Sequence, residues 1–111
     1  MSSKPARNAT GAAPDVPEDK AIEAPVVNTP EPGGTYSKPV GFSGTGIPGW
    51  LVYFFTVPTT GDDFGSARVD EKGDWKFDAY LEAGNFEVFG WQTDNRLRSP
   101  WTPRIKFEVT S

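Results

Sequence analysis

The sequence predicts an all-β protein: an antiparallel β-sandwich of about seven short strands behind an N-terminal tail. Three observations lead there. The strongest apolar segments alternate with a period of two, which puts successive side chains on opposite faces of a strand. Clusters of Gly, Pro, Asp and Asn punctuate the chain at roughly the 8–12-residue spacing of strands joined by tight turns. All fifteen aromatic residues (four Trp, three Tyr, eight Phe) lie in residues 35–111, as a small domain needs if it is to build a core without disulfides.

Taken in order, residues 24–28 would add an edge strand, residues 39–43 a short strand and residues 50–57 a longer apolar one. Residues 65–69 form another short candidate. In residues 75–81, Trp75, Phe77, Ala79 and Leu81 share one face. Residues 86–92 make a further strand. Residues 104–109 alternate as cleanly, with Ile105, Phe107 and Val109 inward. Turn chemistry separates these segments at residues 44–49, 58–63, 71–74, 83–85 and 93–96. No window of helical periodicity competes.

Residues 1–34 have a different composition: six of the 11 prolines, no aromatic residue, and apolar content that is mostly Ala and scattered Val. Ordering a backbone costs about 1–2 kcal/mol per residue, and such a segment buries too little to offset it. Proline also removes amide donors. Residues 1–24 therefore read as a disordered, semi-extended tether and residues 25–111 as the folded domain, with 18–24 too short to hold a helix alone.

The 111 residues carry 11 basic and 15 acidic side chains, a net charge of −4, and neither His nor Cys. That balance argues against nucleic acid as a partner and against a polybasic membrane contact. No apolar run approaches the roughly 20 residues of a membrane helix, so no membrane insertion is expected. The first 25 residues hold no apolar core of signal-peptide type. The expectation is that any export signal is C-terminal or lies in a longer parent chain.

The order of motifs resembles the bacterial immunoglobulin-like domains repeated in surface adhesins and other exported proteins. The matching run covers about residues 26–110. It begins with Val26-Val27-Asn28-Thr29-Pro30 and continues through Phe42-Ser43-Gly44-Thr45-Gly46, Pro48-Gly49 and an apolar strand. Val69-Asp70 then leads through Gly73 to Trp75, Leu81-Glu82-Ala83-Gly84 precedes a strand, and Thr93-Asp94 precedes Ser99. Gly44, Gly46 and Gly73 would serve positive-φ positions, with Asp70 and Asp74 bonding loop amides. The resemblance implies a Greek-key sandwich used as a spacer or binding unit, located extracellularly or at the cell surface. Two features depart from it: Trp50 replaces a small residue, and Asn95-Arg96-Leu97-Arg98 replaces a glycine-rich loop.

Alternation also nominates a binding face. If Val52 and Phe54 point inward, Leu51, Tyr53 and Phe55 point outward; if Phe86 and Val88 point inward, Phe89 and Trp91 point outward as well. Pairing of the two strands would gather Leu51, Tyr53, Phe55, Phe89 and Trp91 on one sheet face. Exposed, that patch would engage a protein or surface partner, or stack on a glycan as a carbohydrate-binding module does. The competing expectation is that the tether, a neighbouring module or an extra strand covers it.

Three other readings are weaker. Asp62, Asp63, Asp70, Glu71 and Asp74 offer oxygen ligands of the kind Ca²⁺ takes, with Asp70 and Asp74 the nearest to a site, but turn-forming aspartates exposed to water explain them as well. Otherwise no cofactor is expected. Arg96, Arg98, Arg104 and Lys106 would meet an anion, or form a solvated rim balanced by Glu87 and Glu108. Catalysis is not expected, because no imidazole, thiol or Ser-Lys motif is present and a bare sandwich offers no deep cleft.

Overall fold

A computed structural model describes residues 13–59 and 62–111. Residues 1–12 of the expected tether, and the middle of the turn expected at 58–63, lie outside the described residues. Among the described residues all regular structure is β, in eight strands: β1 (Val26–Thr29), β2 (Thr35–Ser37), β3 (Val40–Thr45), β4 (Leu51–Thr56), β5 (Gly65–Arg68), β6 (Asp74–Ala79), β7 (Gly84–Thr93) and β8 (Ile105–Thr110). They form a three-stranded sheet, β1-β3-β6, and a five-stranded sheet, β2-β8-β7-β4-β5.

The core lies between the two sheets because their inward parities are apolar. The three-stranded sheet contributes Val40, Phe42, Trp75 and Ala79, and the five-stranded one Val52, Phe54, Val88, Ile105, Phe107 and Val109. Phe42 is fully buried and stacks on Phe77 with ring centroids 5.0 Å apart. The face assignments of residues 75–81, 86–88 and 105–109 thus hold in the structure: Phe77, Leu81 and Phe86 are partly buried against this cluster.

Two local expectations differ. β2 is the unexpected eighth strand, only three residues long, and it pairs parallel to β8 (Tyr36 opposite Val109) in an otherwise antiparallel arrangement. Gly44 and Gly46 are not at positive φ, unlike Gly73 at +89°. A Cβ at Gly44 would instead collide with the Val26 carbonyl oxygen of the neighbouring strand. The glycine there serves close approach of β1, not a turn.

Candidate functional site

The outer face of β4 and β7 carries the predicted aromatic group. Antiparallel pairing puts Leu51 opposite Thr93, Tyr53 opposite Trp91 and Phe55 opposite Phe89. Tyr53, Phe55, Phe89 and Trp91 form one cluster with Leu51, Val57 and Ala13 packed against it. Tyr53 and Trp91 lie 5.4 Å apart by ring centroid, Phe55 and Phe89 5.4 Å, Phe55 and Trp91 5.5 Å.

The face is not exposed. Tyr53 is 8%, Phe55 6%, Phe89 4% and Trp91 6% accessible, and Leu51 is half-buried. Alternation places the rings correctly but says nothing of what passes over them. Trp101 stacks on Phe89 at 4.3 Å, the Arg98 guanidinium sits 5.5 Å from the Trp91 ring, and Ala13 packs on the cluster. Burial pushes the Tyr53 phenol above its ordinary pKa, with the nearby Asp63 carboxylate adding to the shift and Arg68 opposing it.

The cover is built by the 94–104 connection. Pro100 and Pro103 lack amides, so this stretch cannot continue a regular ladder along β7. Buried hydroxyls take the place of missing backbone partners. Gln92 N–H donates to Ser99 Oγ (3.0 Å) and Gly90 N–H to Thr102 Oγ1 (3.0 Å), while Ser99 N–H and Thr102 N–H donate to the Gln92 and Gly90 carbonyls. Asn95, at φ 78°, supplies the left-handed residue that the missing glycine would have supplied. Asp94 closes the turn: its Oδ1 accepts from Arg96 N–H (2.8 Å) and Leu97 N–H (3.0 Å).

Those amide bonds, Leu97's first, hold the Asp94 carboxyl below its ordinary 3.8. A carboxylate favoured by the fold stabilises it fully above the unfolded-chain pKa, and that contribution is lost as pH falls through the lower folded-state value. Asp94→Asn is therefore expected to flatten the acid limb of the melting curve below about pH 3.8 and to change its slope little at neutral pH. Thermal melts of both proteins across pH 2–6 check this; parallel curves would remove Asp94 from the account.

Residues 13–24 do not stand away from the domain as the tether reading expects. Arg98 N–H donates to the Pro17 carbonyl (2.9 Å) and Asp19 N–H to the Arg98 carbonyl (2.8 Å). Arg98 also pairs with Glu18 at 3.6 Å. In place of helix, residues 19–22 make a turn, Ile22 N–H donating to the Asp19 carbonyl. Buried Gln92 ties the segment in further: its Nε2 donates to the Glu23 carbonyl (2.8 Å) and its Oε1 accepts from Ile47 N–H (2.9 Å). The signal for this clasp was a polar residue at inward parity on a core strand, with an arginine in a turn where glycine is usual.

The remaining candidates separate. Arg96 pairs with Asp94 (3.0 Å), Arg98 with Glu18, and Arg104 with Glu87 (3.5 Å), while Lys106 faces Glu87 across the β7–β8 ladder. These four cations are thus distributed among carboxylates and do not converge on one anion site. Asp70 Oδ1 accepts from Lys72 N–H and Asp74 N–H, both at 2.9 Å, shaping the turn that crosses from one sheet to the other. Among the described residues no group of three or more acidic side chains is placed to hold a metal ion, and Asp70 and Asp74 form no such cluster. No helix among them is long and apolar enough to cross a membrane.

The exposed large apolar side chains among the described residues are Val26, Tyr80 and Trp101, the last 49% accessible. A cleft of about 510 Å³ lies beside β2, β7 and β8, lined by Gly34, Val57, Phe86, Lys106 and Glu108 among others. Comparison with known proteins finds no family model and no curated protein that matches this chain.

Proposed function

We propose that the chain is an immunoglobulin-like, non-catalytic spacer or binding module of the kind found in exported bacterial proteins, acting at the cell surface or outside the cell. The observation that carries this reading is the strand order. Sheets β1-β3-β6 and β2-β8-β7-β4-β5 share one core, and an N-terminal strand crosses from the first sheet to run parallel to the last strand in the second. That order fits a Greek-key sandwich with its first strand divided between the sheets. The lack of His and Cys supports the non-catalytic part, because the common nucleophile–base pairs cannot be built.

Burial of the aromatic face favours the spacer role over a standing glycan platform. One observation keeps a carbohydrate-binding reading as the second choice. Trp101 is held flat on Phe89 between two prolines with nearly half its surface open, a pre-set stacking surface for a sugar ring. Titration with a panel of soluble oligosaccharides separates the two, read by tryptophan fluorescence. The spacer reading expects no shift. A saturable shift that Trp101→Ala abolishes would replace it with the carbohydrate-binding one.

A further inference from the structure

Residues 13–24 lie on the domain like a bound peptide, and the quality of their contacts is uneven. Pro14 and Pro17 have no amide to give, so the segment cannot form a continuous ladder with its neighbour. Its apolar side chains are small or aliphatic (Ala13, Val16, Ile22), whereas the surface at its N-terminal end is made of Phe and Trp rings. Its fixed points are polar: two backbone bonds to Arg98, the Glu18–Arg98 pair, and the Gln92 bond to Glu23. The ion pair is partly open to water, with side chains 22% and 32% accessible. Segments held in this way open at free energies well below that of the whole domain.

Charge matches across this contact. Residues 13–24 carry Asp15, Glu18, Asp19 and Glu23 against Lys20, and Glu18 meets Arg98 on the receiving side. The contact therefore selects an extended, acidic, proline-containing peptide, anchored by a carboxylate on Arg98 and by backbone bonds to the same residue.

We propose that residues 13–24 are a displaceable strap, and that the ground they contact, from Arg98 to the margin of the Tyr53–Phe55–Phe89–Trp91 cluster where Ala13 packs, is an acceptor site for the same segment of a second copy of this chain. Exchange between two copies keeps every contact seen within one, so it costs only association. Within one chain the strap acts at an effective concentration of order millimolar, which keeps the closed form dominant in dilute solution. The proposal does not depend on the immunoglobulin-like reading, because it rests only on the contacts of this segment.

The test uses the full chain and a fluorescently labelled synthetic peptide of residues 13–24, followed by anisotropy. Glu18→Arg sets like charges against each other at the clasp and frees the site. It should bind the peptide about tenfold more tightly than the wild type, whose site is mostly occupied in cis. Arg98→Glu should lose binding. The pair Glu18→Arg with Arg98→Glu restores the clasp in reverse and should again reject the wild-type peptide. Equal uptake by all four proteins, or none by Glu18→Arg, overturns the proposal. So does protection of the Asp19 amide from hydrogen exchange at the level of the β7 amides in Glu18→Arg, which would make the segment a fixed part of the fold. For the second copy, a dimer should appear in the wild type as concentration nears millimolar and be absent from Arg98→Glu; a wild type that stays monomeric overturns that occupant.

Discussion

Trp75→Ala is expected to cost about 3–5 kcal/mol of stability, a large share of the roughly 5–15 kcal/mol that holds a domain of this size. Trp75 opens the inward parity of β6 and is 3% accessible. Its ring lies 5.4 Å from Phe54 and 6.2 Å from Phe77, and its indole N–H donates to the Thr45 carbonyl at 3.0 Å. The space beside it is closed as well, since a Cβ on Gly44 would come within 2.8 Å of the indole. Truncation thus removes the contacts of a large ring and leaves a void that neighbours on two sheets cannot collapse into. Urea unfolding reads the loss as a lower midpoint at unchanged slope. The neighbouring Lys76→Ala, on the exposed parity, should stay within about 0.5 kcal/mol of wild type. Equal effects at the two positions would mean that β6 presents its other face to the core.

What alternation can state, it states well here. Trp75, Val52, Phe54, Val88, Ile105, Phe107 and Val109 all take the inward side their parity assigns. Tyr53, Phe55, Phe89 and Trp91 all take the outer one. Parity is a local property of a pleated strand, and every strand of six residues or more displays it. The three residues of β2 are too few to show a period, so that strand and its parallel pairing with β8 had no local signature. The cover of the outer face escapes for a different reason. It depends on Arg98 meeting Pro17, Glu18 and Asp19 from the far end of the chain, and on Ser99 and Thr102 replacing backbone partners that Pro100 and Pro103 cannot be. A low-hydropathy, proline-rich segment lacks the apolar area to order itself, but the outer sheet face supplies apolar area at Ala13 and Arg98 supplies two backbone partners. Gly44 shows the same limit on a small scale: composition marks a glycine, and only the neighbouring strand reveals that it serves close packing rather than a turn.

Trp91→Ala distinguishes a covered face from an open one. On an exposed face the ring would contribute to binding and little to stability. At 6% accessibility, packed on Tyr53 and Phe55 and capped by Arg98, it belongs to a second small core on the outside of the five-stranded sheet. Its removal is expected to cost about 3–5 kcal/mol, as for other buried large aromatics, and to loosen the strap that rests on Arg98. Trp101→Ala is the internal control. That ring stacks on Phe89 but is half open to water, so its loss should cost about 1 kcal/mol, within the range of an aromatic pair plus modest burial. Chemical denaturation of the two variants, with hydrogen exchange at the Asp19 and Arg98 amides, reads both effects. If Trp91→Ala proves no more costly than Trp101→Ala and leaves those amides as protected as before, the outer face is not covered in solution and the strap does not depend on it.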